Sequence, residues 1–201
     1  MKTHIALNDA VLLPKDESLK LTDYVLQIDW EKNFPYIFKK AEDEWEFVMD
    51  RCSTAEVDEF LNKNINSIFT EKQRQSSFLA FEKSHSKSKY YEMIVDHFSI
   101  KTDGRMIGYF SGNLEEHDTY YLRYVNILKE YRGSGISIDA TKYFLDFILS
   151  QTGIRNVRVH TVPSNLVQLK KILSYDFSIT GQYLSDRWGT LIEFTKTVDN
   201  H

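Results

Sequence analysis

The 201-residue chain has one cysteine, three prolines and eight glycines, and it has no long apolar run. A single thiol, Cys52, excludes an intrachain disulfide and fits a reducing, cytoplasmic compartment. No apolar stretch approaches the length that crosses a bilayer, and the first residues lack the basic start and continuous apolar core of a secretion leader, so none is expected. Charge of one sign is not in excess. Twenty-five basic residues against 29 acidic ones give a formal net charge of -4, which suggests neither a nucleic-acid partner nor a membrane surface. His85, His97 and His117 lack metal-ligand spacing, so no metal is expected. Internal repeats and low-complexity tracts are absent. The remaining material, 42% hydrophobic, is enough for one domain over residues 1–201 with its own core.

Residues 1–35 carry little pattern beyond a strand-like run at 19–28 between Pro14 and Pro35. From Phe38 the spacing of Trp45, Phe47 and Val48 predicts a helix. A second helix begins at Ser53, where Ser53-Thr54-Ala55-Glu56 has capping-box spacing, with Val57, Phe60, Leu61, Ile65 and Ile68 as its inward stripe. Residues 84–89 are small and polar and read as an exposed loop. Residues 92–101 and 105–110 predict a hairpin around Thr102-Asp103-Gly104, and residues 114–118 a connection. The aromatic and β-branched run 120–127 predicts a strand. A helix follows, with Ala140, Tyr143, Phe144, Phe147 and Ile148 at three- and four-residue steps and Gly153 as its stop. Residues 157–162 predict another strand, Pro163-Ser164-Asn165 opens another helix, and residues 190–197 form a last strand.

Function concentrates between the first of those strands and its helix, at Tyr131-Arg132-Gly133-Ser134-Gly135-Ile136-Ser137. Glycines at a strand-to-helix junction let the backbone turn sharply and approach a ligand closely. The first helix amides and the positive end of the helix dipole then converge on one point, which suits an anion such as a phosphate-bearing cofactor. No Gly-Lys-Ser/Thr follows, so this is not a Walker loop, and the three-glycine dinucleotide pattern is absent.

These residues resemble the acyl-CoA pyrophosphate loop of the GNAT N-acetyltransferase superfamily, whose pattern is Gln/Arg-x-x-Gly-x-Gly/Ala. Arg132 and Gly135 match it, and Ser137 stands where Gly or Ala is usual. A second match lies downstream: Asn165 follows the next strand, and Phe177 closes the next helix, with Asp176 where the family has Gly. The resemblance covers residues 91–196. It implies an α+β fold, a mixed but mostly antiparallel central sheet flanked by helices, with the strand before the loop and the strand after the helix splayed apart. It also implies acetyl-CoA as co-substrate and an amine-bearing acceptor, and leaves room for a homodimer. By the same resemblance the backbone of Val125, Asn126 and Ile127 would bind the pantetheine arm. Arg132, Gly133, Ser134, Gly135, Ile136 and Ser137 would form the pyrophosphate loop, and Asn165 would bond the far side of the pantetheine.

An amine acceptor must lose a proton before it attacks a thioester. His160, on the strand before Asn165, is the candidate base, since family members that acetylate protein N-termini place a Glu or His near there; the alternative is a strand histidine with no chemistry. Glu116, His117 and Asp118 form a second candidate cluster. The family's usual acid is a Tyr seven residues after the Asn, and that position is Ile172; Tyr175 and Tyr183 are the nearest substitutes, and no acid is assigned. The leading reading is an N-acetyltransferase acting on a primary amine of a small molecule or protein. The alternatives are a catalytically inactive GNAT-like acyl-CoA-binding sensor or interaction domain, and an unrelated α+β domain.

Overall fold

A computed structural model of the protein describes residue 28 and residues 30–39, 46–69, 71, 95–116, 118–185 and 188–198. In chain order these contain β1 (Tyr36–Lys39), β2 (Glu46–Arg51), α1 (Thr54–Ile68), β3 (Asp96–Thr102), β4 (Arg105–Glu116) and β5 (Thr119–Ile127). A 3₁₀ turn (Lys129–Tyr131) leads to α2 (Ile136–Gln151), β6 (Asn156–Thr161), α3 (Leu166–Leu173), β7 (Ser178–Ser185) and β8 (Gly189–Thr197). The strands form one sheet in the order β1-β2-β3-β4-β5-β6-β8-β7.

Among the described residues all pairings are antiparallel except β5 with β6. That parallel pair is short: Thr119 faces Asn156, Tyr120 faces Val157 and Tyr121 faces Arg158, and beyond these rungs the strands part. The register against β4 shows the cause. Ser111 pairs with Tyr124 but Gly112 pairs with Leu122, so Arg123 is an extra residue in β5. A bulge of this kind bends its strand and raises the local twist.

The core lies mainly on one face, where Phe144, Phe147 and Ile148 of α2 meet Phe98, Phe110, Tyr120 and Val157 of the sheet. Trp30 fills the layer between them, with its ring 4.9 Å from Phe98 and 6.2 Å from Phe144. Full burial of each such side chain contributes about 1.5–3 kcal/mol. On the opposite face α1 packs Val57, Phe60 and Ile68 against Tyr109 and Leu128. Its start is the expected capping box: Ser53 Oγ accepts from the Glu56 amide at 3.2 Å, and the Ser53 amide donates to Glu56 Oε2 at 2.8 Å. The β3–β4 hairpin turns at Asp103 and Gly104, both left-handed, as a two-residue hairpin turn requires.

Three expectations need correction. The run from Phe38 is not helical: Phe38 and Phe47 face each other across the β1–β2 hairpin, and Phe47 and Met49 are buried while Val48 and Asp50 point the other way. Two or three apolar positions are too few to set a period, and the open edge of β3 selects the strand. The connection at residues 114–118 is shorter than expected, because β4 continues to Glu116. β7 was not anticipated. It is an edge strand exposed on both faces, so its sequence has no alternation to read. The strand expected at 19–28, apart from Ile28, and Trp45 and the loop at 84–89 lie outside the described residues.

Two substitutions test this packing. A Cβ on Gly112 would lie 2.3 Å from the buried Tyr120 ring and 2.7 Å from its hydroxyl, which donates to Asp96. Gly112→Ala is therefore expected to destabilise by about 1–3 kcal/mol, read as a lower thermal midpoint; an unchanged midpoint would mean that Tyr120 has room to yield. Asp176 sits at φ 60, and among the described residues its one ion pair is a 3.8 Å contact between Lys196 and an exposed carboxylate. Asp176→Gly is expected to raise stability by up to about 1 kcal/mol, measurable by urea denaturation.

Candidate active site

The loop between β5 and α2 is shaped by Gly133 at φ 86 and Gly135 at φ 89. A Cβ would meet nothing within 4 Å at Gly133, so it is backbone torsion and open space, not crowding, that call for glycine there. Gly135 is the N-cap of α2. Its carbonyl accepts from the amides of Ile138 and Asp139, but it has no side chain to close the helix end. Among the described residues no main-chain bond takes up the amides of Gly133, Gly135 or Ser137. Ser134 Oγ donates to the Tyr131 carbonyl at 2.7 Å and pins the turn. The buried Ile136 side chain anchors it in the core. The result is a cradle of main-chain donors at a positive helix end, which fits a pyrophosphate.

Arg132 serves this loop from behind. Its Nε donates to the Ile127 carbonyl, and its terminal nitrogen donates to the carbonyls of Ser67 and Ile68, all at 3.1 Å. The guanidinium thus ties the last turn of α1 and the end of β5 to the loop, where a cation complements the negative end of the α1 dipole. Its side chain positions the loop and does not face the open amides.

Val125, Asn126 and Ile127 lie on the stretch of β5 that has parted from β6. The Asn126 side chain turns away and donates to the Tyr109 hydroxyl at 2.9 Å, and the Ile127 carbonyl is held by Arg132. Leu122 and Val125 of β5, Val159 of β6, Thr141 of α2, Gln168, Lys171 and Ile172 of α3, and Tyr175 in the turn after it line a narrow apolar cleft at the parting. Asn165 is the N-cap of α3, its Oδ1 accepting from the Gln168 amide at 3.2 Å. Ile172 is buried, and the Tyr175 hydroxyl donates to the Ile138 carbonyl at 3.0 Å.

A polar cluster sits at the same parting on the other face of the sheet. Val157 and Val159 of β6 are buried, while Arg158 and His160 alternate away from them. His160 Nδ1 is 2.9 Å from the Tyr121 hydroxyl, and Nε2 is 3.2 Å from Glu193 Oε2. The Tyr183 ring meets His160 edge-on at 4.9 Å. Thr180 donates to Glu193 Oε1 at 2.9 Å, and Arg158 lies between Glu193 and Glu115, 3.6 Å and 3.0 Å away. Burial works against the charged form of Glu193, but the bonds from His160 and Thr180 and the charge of Arg158 outweigh it and hold the carboxyl below its ordinary range. An ionised carboxylate only accepts, so Nε2 carries the imidazole proton, and Nδ1 accepts from the Tyr121 hydroxyl. Burial raises the pKa of Tyr121 and keeps that hydroxyl protonated.

Of the other candidates, Asp118 is built into the turn from β4 to β5, which it ties to the start of β6: its carbonyl accepts from the amides of Arg155 and Asn156, and its carboxylate accepts from Thr119. His117 and the Glu116 side chain lie outside the described residues. Burial pushes the Cys52 thiol up to about 12, which leaves it no nucleophilic role near neutral pH. Sequence reasoning missed Tyr121 and Glu193. The first stood in an aromatic run and the second in an alternating terminal strand, and neither position indicates that both meet His160.

The matched family model is the acetyltransferase (GNAT) family, over residues 57–170, more than half of the chain. No curated protein matches in sequence. Among solved structures, a spermidine N-acetyltransferase chimera from Vibrio cholerae and hSSAT is similar at TM-score 0.57 and 14% identity, over 75% of this chain and 95% of that one. The ribosomal-protein-S18-alanine N-acetyltransferase from Escherichia coli gives 0.56 and 12%, over 77% and 96%. An IAA acetyltransferase from Bacillus cereus gives 0.53 and 13%, over 76% and 99%. These likenesses concern the fold, a mostly antiparallel sheet flanked by helices, and together with the family match they make the chain a member of the GNAT acetyltransferase family.

Proposed function

We propose that the protein is an acetyl-CoA-dependent N-acetyltransferase acting on a primary amine of a small molecule or protein. The observation that carries this reading is His160 held between Tyr121 and Glu193 where β5 and β6 part, on the sheet face opposite the open loop's helix. The amides of Gly133, Gly135 and Ser137 would hold the pyrophosphate, and the parted backbone at Val125 would receive the pantetheine arm. Bound acetyl-CoA supplies an activated acetyl group. The chain's own work is to move protons. Tyr121 releases its hydroxyl proton to His160 Nδ1 as it takes one from the acceptor ammonium. Glu193 stabilises the imidazolium that results. The amine nitrogen, freed of its first proton, forms the new bond to the acetyl carbon as the carbon–sulfur bond breaks, and its second proton passes to the departing thiolate to give the free thiol. The departing thiolate is a tolerable leaving group, with a thiol pKa near about 8.5, so no dedicated acid is required.

A second reading, an acyl-CoA-binding domain without catalysis, is favoured by α3. Ile172 is buried in the core and the Tyr175 hydroxyl is tied to Ile138, so neither serves as an acid facing the cleft.

Two experiments separate the readings. Gly135→Glu places bulk and negative charge at the helix end and is expected to weaken acetyl-CoA binding at least about 100-fold in calorimetric titration, far beyond Gly135→Ala, which changes only the backbone preference. Binding that survives the charge would remove the pyrophosphate from this loop. His160→Ala is expected to lower kcat by about 10²–10⁴-fold while leaving acetyl-CoA affinity within a few-fold. Tyr121→Phe should fall with it, and the double variant should be little worse than either, as members of one proton chain behave. An unchanged rate in His160→Ala would remove it as proton acceptor, and absence of turnover in the wild type across an amine panel would favour the binding domain.

A further inference from the structure

One departure of this chain from the family's loop meets, in space, the residue beside a second departure in the helix. Ser137 stands where the family has Gly or Ala, and Lys171 directly precedes Ile172. Lys171 Nζ crosses from α3 to the first turn of α2 and donates to the Ser137 carbonyl at 3.0 Å and to Ser137 Oγ at 3.2 Å. Leu122 and Val125 of β5, Val159 of β6 and Ile172 beside it line the same cleft, with Thr141, Gln168 and Tyr175 as its neutral polar members. No carboxylate among the described residues lies within ion-pair distance of it. A buried ammonium with only neutral acceptors is costly, and proteins ordinarily give such a group an anion. Here it lies beside a loop whose open amides fit one.

We propose that Lys171 is the cationic ligand of the bound cofactor's pyrophosphate, with Ser137 holding its ammonium at the first turn of α2 until that anion arrives. This rests on the acyl-CoA reading above. It gives Ser137 a reason to depart from Gly or Ala, since its hydroxyl is half of the holding site, and it adds a side-chain charge to a cradle otherwise made of main-chain donors.

A pH signature follows. Burial lowers the Lys171 pKa to about 8 in the free protein. The groups facing it are Ser137 and Thr141 from α2, Leu122 and Val125 from β5, Val159 from β6, Gln168 from its own helix and Tyr175 in the turn that follows it. Of these only Tyr175 titrates, and burial pushes it up to about 12, so it stays neutral through the range. Asp139, also in the first turn of α2, has Oδ2 3.9 Å from where a Gly135 Cβ would stand and raises Tyr175 further by its charge; with Ser134 and Ile136 of the loop it lines a cavity with Tyr36 and Phe38, outside the cleft around Lys171. An anion beside Lys171 raises its pKa, so binding takes up a proton. Affinity is then nearly flat below about pH 8 and falls about tenfold between pH 7 and 9.

The test is calorimetric titration with acetyl-CoA and with S-acetylpantetheine, which carries no phosphate, on the wild type, Lys171→Met and Lys171→Arg. Lys171→Met is expected to weaken acetyl-CoA by about 10–100-fold and to leave S-acetylpantetheine unchanged, with Lys171→Arg close to wild type. Titrations of the wild type at pH 8 in two buffers of different ionisation enthalpy should show uptake of about half a proton, lost in Lys171→Met; this readout on the wild type does not depend on a variant folding. Equal acetyl-CoA affinity in wild type and Lys171→Met, equal losses for both thioesters, or no proton uptake by the wild type would each overturn the assignment while leaving the cofactor reading intact. Failure of acetyl-CoA to bind the wild type would overturn both.

Discussion

The parting of β5 from β6 is the constraint on which the rest of the molecule depends. A sheet gains from pairing every backbone group it can, and a buried strand edge without partners is unfavourable. Here the parallel pairing of β5 with β6 ends after Tyr121 and Arg158 because Arg123 inserts an extra residue in β5 and bends it away. The edges so exposed are not left to chance. Arg132 holds the last carbonyl of β5, Asn126 anchors its side chain on Tyr109, and α2 and α3 wall the gap with Thr141, Gln168 and Lys171. A main-chain slot with apolar walls and a positive helix end above it results from one inserted residue.

The two faces of the sheet then divide the work, on the proposed reading. On the α2 and α3 face the surfaces are apolar and main-chain donors end in the loop, which suits a long anionic ligand. On the other face Tyr121, His160 and Arg158 alternate outward from the same strands whose inward residues build the cleft, and Glu193 joins them from β8. Because successive strand residues point to opposite faces, a gap between two strands can be reached by a ligand from one side and by proton-transfer groups from the other. Buried polar groups are costly unless satisfied, and here each supplies the other's partner: Glu193 keeps its charge through His160 and Thr180, and that charge fixes the imidazole tautomer.

What could be read from the sequence was what local chemistry dictates. The loop from Arg132 to Ser137, the capping box at Ser53, the Asp103-Gly104 turn and the helix ending near Gly153 each depend on neighbours within a few residues, and each stands where expected. The β1–β2 hairpin and β7 were illegible because the sheet, not their own pattern, makes them strands. Tyr121 and Glu193 were illegible for a related reason: their contact with His160 depends on register between β5, β6 and β8, and the bulge at Arg123 that sets part of that register has no signature among eight consecutive aromatic, aliphatic and polar residues. Arg132 was legible as a motif residue, but its partners, two carbonyls at the end of a helix more than sixty positions earlier, were not.

Ile172 illustrates how a departure from a family pattern should be weighed. Taken alone it removes the expected acid and argues against catalysis. In the structure it is a core residue at 3% exposure, packed beside Phe177 and Leu145 in the same apolar cluster, so a tyrosine there would have to displace packing or turn its hydroxyl into the cleft. The neighbouring Lys171 already places a polar group at that cleft, and Tyr175 one turn later is committed to Ile138. On the proposed reading α3 therefore serves cofactor-side contacts, while the groups that would handle protons stand together on the opposite face. An acid on α3 is needed only if the leaving group is a poor one, and a thiolate is not; the loss of that tyrosine thus bears on the helix's packing more than on whether the chemistry can proceed.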